Sequence, residues 1–291
     1  MPEELSPKDQ QALIETLEAQ GYRITKNPPK ERASKKLDVP ATPGATLRIG
    51  VVSDTHIGSR HQQTSALNDF YKYADSRGVS AYLHGGDLLD GLHVHRDSVY
   101  EQYAHGVDAQ VAAAVTQYPV SNNGKTFFID GNHDAWAFEN AGVASGAILA
   151  DKRNDLEYLG YYSAFVELGN VRFLLQHGAR GGGAYGKSYK VQRLLEQLAT
   201  EERSQTDVAL YGHWHTEFYL GRYQGVFGFS LPCFKKQDRF LRSLGKSPTI
   251  GGLVLEVEFT RDMKLWNLRS DFRYYEARHN DYPGATTDEA A

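Results

Sequence analysis

Three apolar runs in the first half of the chain, LRIGVVSD (47–54), VSAYLHGGD (79–87) and KTFFIDGNHD (125–134), each stop on a cluster of polar side chains. They read as strands. Between the first two, Leu67, Phe70, Tyr71 and Ala74 recur at i, i+3, i+4 and i+7, which is one face of a helix. A longer helical pattern over about 98–117 separates the second run from the third. This βαβαβ rhythm predicts parallel strands joined by crossover helices. In such sheets ligands gather beyond the carboxyl ends of the strands, and Asp54, Asp87 and Asn132 all fall there.

The second half is richer in strands. Tyr158–Leu168 and Val171–His177 flank a Gly169-Asn170 turn and predict a hairpin. Val191, Leu194, Leu195 and Leu198 mark one helix. Further strand candidates are DVALYGHWH (207–215), 217–234, 252–259 and 264–272. The expected fold class is α/β, with a mixed two-sheet core and helices outside. Residues 1–45 read as an appendage: a helix over 6–20, opened by Ser6, Pro7 and Asp9 and closed by Gly21, and then a proline-rich linker or extended arm over 27–45. The main domain is expected over 46–280 and a disordered tail over 281–291.

Several classes of protein are excluded by what the chain lacks. No run approaches the roughly 18 consecutive apolar residues of a membrane helix. The opening MPEELSPKDQ has neither the basic nor the apolar region of a signal peptide. One cysteine, Cys233, rules out an intramolecular disulfide framework and a thiolate-rich zinc module. The expected location is the cytoplasm. A formal net charge of −4 argues against a surface coated for gripping duplex DNA. Basic residues do cluster in 23–36 and in 235–246, the latter with Lys235, Lys236, Arg239, Arg242 and Lys246.

Five short motifs then occur in order: Asp54-Thr55-His56, Gly86-Asp87-Leu88-Leu89-Asp90, Gly131-Asn132-His133-Asp134, His177-Gly178 and Gly212-His213-Trp214-His215. Together they offer imidazoles, carboxylates and an amide oxygen at strand ends, a donor mixture suited to Mn²⁺, Fe²⁺ or Zn²⁺. A carboxylate between two such ions can bridge them. Two ions about 3.5–4 Å apart can hold both the attacking and the leaving oxygens of a phosphoryl displacement. Asp-x-His alone is a weak signal. Gly-Asn-His-Asp, by contrast, arises by chance in about one such chain in several hundred, and all five motifs in order leave little room for coincidence.

The series resembles the calcineurin-like metallophosphoesterases, over residues 54–215. That resemblance implies a four-layer α/β/β/α sandwich with two mixed sheets and a dinuclear metal centre at the strand ends. It implies that Asp54, His56 and His215 bind one divalent ion, that Asn132, His177 and His213 bind the other, and that Asp87 bridges them. Mn²⁺ is the first candidate, with Fe, Zn, Ni or Mg as alternatives. His133 would be the non-ligand histidine that stabilises the transition state or protonates the leaving oxygen, and Asp90 would orient it. The nucleophile implied is a metal-bound hydroxide.

The chain departs from the family's protein phosphatases, which follow Gly-Asp-x-x-Asp with Arg-Gly, whereas Asp90 here precedes Gly91-Leu92-His93. The stretches HVHRDSVYEQYAHGVDAQ, HGARGGGAYGKSY and KSPTIGGLVLEV are similar to a branch of phage and archaeal phosphoesterases that share motifs with SbcD-type DNA repair nucleases. The function implied is therefore a metal-dependent phosphohydrolase acting on a phosphoester, a phosphodiesterase ahead of a monoesterase. The alternatives are a DNA or RNA nuclease, and a non-catalytic binding subunit on the same fold. The intact ligand set and His133 speak against the last.

Other residues carry weaker expectations. Arg180, Lys187 and Lys190 could steer an anionic substrate or be solvated charges. Gly181-Gly182-Gly183 fits close approach to a phosphate or a flexible turn. Trp214 could wall the pocket or pack. His93 and His95 read as surface or packed groups and His84 as a hydrogen-bonded core histidine. His61, His105 and His279 receive no role.

Overall fold

The computed structural model describes residues 33–37, 42, 44–92, 98–178 and 186–285. One six-stranded sheet is built from β2 (Thr46–Val52), β3 (Ala81–His84), β4 (Thr126–Asp130), β5 (Leu156–Tyr161), β11 (Gly251–Phe259) and β12 (Leu265–Tyr274), in the order β12-β11-β2-β3-β4-β5. The strands from β2 to β5 run parallel, as the βαβαβ rhythm predicts, and β11 and β12 add antiparallel. The second sheet takes β1 (Ala33–Lys36), β6 (Ser163–Leu168), β7 (Val171–His177), β8 (Val208–Gly212), β9 (Phe218–Tyr223) and β10 (Val226–Ser230), in the order β1-β6-β7-β8-β10-β9.

Side chains alternate between two faces of each strand, so single strands serve two cores. Ile49, Val51 and Leu83 of the first sheet meet Val166, Phe173, Leu175 and Leu210 of the second in the inter-sheet core. Their neighbours point the other way. Val52, Tyr82 and Phe128 pack under α1 (Thr64–Ser76), α2 (Val107–Gln117) and α4 (Ser145–Lys152). Leu174, Ala209 and Tyr211 pack under α5 (Lys187–Gln197), and the short α6 (Thr200–Ser204) leads from it toward β8. The result is the α/β/β/α sandwich with two mixed sheets. Leu67, Phe70, Tyr71 and Ala74 are the buried face of α1, as their spacing predicts. Among the described residues no helix is long and apolar enough to cross a membrane.

Three local details differ from the sequence reading. The helical pattern over 98–117 divides into a 3₁₀ turn at Ser98–Glu101 and α2, interrupted at Gly106, whose φ of 93° a helix cannot accommodate. The apolar stretch 158–168 divides at Tyr162 (φ 54°), where the chain leaves the first sheet at β5 and enters the second at β6. Its hairpin partner and the Gly169-Asn170 turn are as expected. Third, within the stretch read as a linker or extended arm, Ala33–Lys36 forms the strand β1. It pairs parallel with β6, and Leu37 beside it is buried in the inter-sheet core. The helix expected over 6–20 lies outside the described residues. So do residues 286–291, whereas Asp281 accepts a hydrogen bond from the Ser65 N–H (2.8 Å) and Tyr282 stacks on Tyr103.

The β1 pairing has a measurable consequence. A variant beginning at Thr46 loses the burial of Leu37, about 1.5–3 kcal/mol, together with the β1–β6 ladder. It should unfold at lower denaturant concentration than a variant beginning at Arg32, while metal binding is retained. Equal unfolding midpoints would show that β1 adds nothing to the domain.

Candidate metal centre

The five motifs converge at the carboxyl ends of strands from both sheets. Asp54 and His56 follow β2, Asp87 follows β3, and Asn132 and His133 open α3 (Asn132–Ala141) after β4. His177 ends β7, and His213 and His215 follow β8. Asp54, His56, Asp87, His213 and His215 all adopt left-handed backbone, with φ between 47° and 86°. Non-glycine residues pay roughly 1–3 kcal/mol for such strain, and it concentrates at functional sites. Two motif glycines clear the space. A Cβ on Gly131 would lie 2.2 Å from Asp87 Oδ1, and one on Gly212 would lie 2.4 Å from the Gly85 carbonyl oxygen.

Three groups of side chains could each hold a metal ion: Asp54, His56 and His215; Asp87, His177 and His213; and, sharing members with both, His56, Asp87 and His133. In the first, His215 Nε2 lies 3.2 Å from Asp54 Oδ1 and 3.1 Å from His56 Nε2. In the second, His177 Nε2 lies 3.1 Å from Asp87 Oδ2 and 3.2 Å from Asn132 Oδ1. Asp87 Oδ2 is also 3.8 Å from His56 Nε2, which puts this carboxylate between the groups. The donor set fits divalent cations: imidazole nitrogens and carboxylate oxygens converge, all of them buried except the half-buried His213. His177 Nδ1 donates to the Gly85 carbonyl (2.8 Å) and His56 Nδ1 to Asp90 Oδ1 (3.1 Å), so each directs Nε2 inward.

The electrostatics are those of a buried cluster of opposite charges. Burial pushes His56 down to about 3, assisted by the nearby Lys235 cation and by His133. Burial, with His177 close by, takes His213 to about 3 as well. Both therefore remain neutral imidazoles, the form that binds metal. For His177 burial is outweighed by the Asp87 carboxylate, which lifts it to about 9. Burial also raises Asp54 and Asp87, but His215 and His177 respectively overcome it and hold both carboxyls well below the usual range.

His133 packs edge-on against His56, with 4.5 Å between ring centroids. Its N–H donates to Asp87 Oδ1 (2.8 Å) and its Nδ1 to the main-chain carbonyl of Asp90 (2.5 Å). Asp90 thus meets His133 through its main-chain carbonyl, while its carboxylate turns elsewhere. That carboxylate bonds His56 and accepts from Gln102 Nε2 (3.0 Å) and Lys235 Nζ (3.1 Å).

Lys235 is the main feature that sequence reasoning missed. Read as part of a basic surface segment, it is 5% exposed and lies between Asp90 and Asp238, 3.1 and 2.9 Å away. It is therefore not available to a nucleic-acid backbone. Its partner Asp90 is 145 residues distant in sequence, and no local pattern marks it. Asp134 is a second residue without an expected role. Its carboxylate accepts from the N–H groups of Leu88, Leu89 and Gly131, stapling the Asp87 loop to α3. Its place at the third position of a helix is the signal that could have found it.

Removing the lysine cation should be costly. Lys235→Met leaves two buried carboxylates without it, and breaking such a pair costs about 3–5 kcal/mol. Lys235 holds Asp90 and Asp238 below the usual carboxylate range against the opposing effect of burial. Their contribution is therefore complete above the ordinary carboxylate pKa and is lost as pH falls through their folded values. The stability difference from the parent, measured by urea unfolding, should be full at pH 7 and shrink below about pH 4. A difference that stays constant down to pH 3 would contradict the ion-pair account.

The weaker candidates are spread out. Arg180, Gly181-Gly182-Gly183, His93 and His95 lie outside the described residues. Lys187 is exposed at the start of α5, and Lys190 Nζ stands 5.1 Å from the Trp214 ring centroid. His84 is buried and bonded to Thr55 Oγ1 and the Gly86 N–H, a core histidine as expected.

A two-sheet α/β sandwich with paired His/Asp clusters at its strand ends defines a class of metal-site hydrolase folds. The model of the calcineurin-like phosphoesterase superfamily domain matches residues 47–227, more than half of the chain, and the chain belongs to that superfamily. Among solved structures it is similar to a conserved predicted phosphoesterase from Streptococcus pneumoniae (15% identity, 79% of this chain and 99% of that one, TM-score 0.37). A dimetal phosphatase from Danio rerio is similar at 10% identity (77% and 98%, TM-score 0.39). A 5'-nucleotidase precursor from Thermus thermophilus is similar at 14% identity, with 81% of this chain covering 56% of that one (TM-score 0.38). No curated protein matches the sequence.

Proposed function

We propose that the protein is a dinuclear, metal-dependent phosphohydrolase that prefers phosphodiesters. The observation carrying this reading is the Asp87 carboxylate oxygen, 3.8 Å from His56 Nε2 of one cluster and 3.1 Å from His177 Nε2 of the other. Asp54, His56 and His215 would hold one ion, Asn132, His177 and His213 the second, and Asp87 would be shared. Mn²⁺ suits this mixture of imidazole, carboxylate and amide donors. Two such ions would supply Lewis acidity and a hydroxide nucleophile at neutral pH.

The chain's own groups account for the rest. His133 keeps its Nδ1 proton on the Asp90 carbonyl and presents Nε2 to the substrate. In its imidazolium form it donates a proton to the departing oxygen. Asp90 orients His56, and Lys235 and Gln102 fix Asp90. The preference for diesters rests on the resemblance to the phage and archaeal branch.

A substrate panel with Mn²⁺ tests the reading: aryl phosphate mono- and diesters, cyclic nucleotides, and single- and double-stranded DNA and RNA. Aryl diesters should turn over fastest. Faster monoester hydrolysis would reverse the preference, and polynucleotide cleavage ahead of every small ester would make the protein a nuclease.

A further inference from the structure

Beside His133 the surface opens into a pocket of about 340 Å³. Its closed end is formed by the buried side chains of His133, Asp90 and Lys235, and its open end by the exposed Arg239 and Phe240 of α7 (Arg239–Ser243). The walls are held in place. Asp238 pairs with Lys235 (2.9 Å) and caps α7 by accepting from the Leu241 N–H (2.7 Å). Across the pocket, Glu101 accepts from His61 Nε2 and from the Arg239 main-chain N–H, both at 3.1 Å. A wall fastened at both ends is suited to selecting what enters.

Size, charge and chemistry narrow the occupant. The volume is at the small end of the roughly 300–1,000 Å³ range of ligand pockets, so it admits one compact group and not a polynucleotide strand. Three carboxylates (Asp90, Glu101, Asp238) face two cations (Lys235, Arg239), so a second phosphate would enter against a net negative wall. Carboxylate oxygens at Glu101 and Asp238 accept from hydroxyl groups. Phe240, 41% exposed at the rim, offers a ring face for stacking. An uncharged group that carries both hydroxyls and an aromatic ring satisfies all three conditions.

We infer that this pocket receives the alcohol side of the scissile ester and that this alcohol is a single nucleoside. The inference rests on the phosphohydrolase reading and gives it a substrate class. In the reaction, water oxygen bonds to phosphorus and loses one proton, the bond from phosphorus to the nucleoside oxygen breaks with its electron pair, and His133 at the closed end protonates that oxygen; the proton lost by the water replaces the one His133 gives. One water is consumed. The products are the remaining phosphate and the free nucleoside.

The mixed diester methyl adenosine-5'-yl phosphate tests this, because its two alkoxide leaving groups are chemically alike and the products show which bond broke. Chromatography of the reaction with Mn²⁺-loaded full-length protein should show adenosine and methyl phosphate. Phe240→Ala should raise KM for this substrate by about tenfold or more, the scale of one base–aromatic stack, with kcat within about twofold and metal content unchanged. Adenosine 5'-phosphate and methanol as products, or an unchanged KM in Phe240→Ala, would overturn the inference. Turnover of aryl diesters in the same preparation shows that the phosphohydrolase reading survives such a failure. If no ester is hydrolysed, calorimetry with adenosine decides: saturable binding weakened by Phe240→Ala upholds the pocket, and no binding at millimolar adenosine removes it.

Discussion

Asp87→Asn is expected to empty the centre. The substitution removes a carboxylate whose oxygen lies within 4 Å of an imidazole nitrogen of each cluster, 3.8 Å from His56 and 3.1 Å from His177. An amide carries no charge to share between two cations. Outer partners of metal ligands already change metal affinity or activity by 10–100-fold. A shared ligand should exceed that, so kcat/KM should fall by at least about a thousandfold and bound metal from two ions per chain to fewer than one. Asp90→Asn is the comparison. Its carboxylate reaches His56 Nδ1 and no other candidate ligand in the described hydrogen bonds, so it should lower metal content far less. Elemental analysis of the two purified variants beside the parent decides the matter. Two ions retained by Asp87→Asn would end the bridging assignment.

His133→Gln should separate chemistry from metal binding. His133 is tied to the Asp90 carbonyl through Nδ1 and to Asp87 through its main-chain N–H, and glutamine preserves the latter. The variant should keep about two ions per chain while kcat falls by roughly 10²–10⁴-fold, the scale of a positioned acid–base group. His133 also lies close enough to His56 and Asp87 to complete a ligand triad. Loss of an ion in the variant would therefore make His133 a ligand and not a proton donor.

The parts of the fold legible in the sequence are those where a local signal and the tertiary structure agree. β2, β3 and β4 are apolar runs that stop at short polar or glycine-containing motifs, and the motif residues emerge where those strands end. β1 could not be seen this way. Ala33–Lys36 has no apolar alternation, and it becomes a strand because the edge of β6 offers unpaired backbone groups. Tyr162 likewise divides what reads as one strand; Gly160, two residues earlier, is the local mark, and the break itself comes from the passage between sheets.

The candidate site divides along the same line. Its donor residues lie in short motifs whose composition announces metal chemistry, and the resemblance that those motifs carry names seven candidate ligands and His133. What surrounds them could not. Lys235 reads as one more charge in a basic segment, and only the folded chain brings it to Asp90 and Asp238. The carboxylate of Asp90 turns toward His56 for the same reason, because Lys235 and Gln102 hold it there. Long-range ion pairs leave no periodicity behind.

The most direct measurement follows hydrolysis of bis(4-nitrophenyl) phosphate while Mn²⁺ is titrated into chelator-treated protein, with bound metal counted in the same samples. Two ions bound across Asp87 predict no turnover in the chelated protein, recovery as ions bind, and a plateau at two per chain. Turnover that survives complete chelation would contradict the account. So would two bound ions with no hydrolysis of this or any other phosphoester.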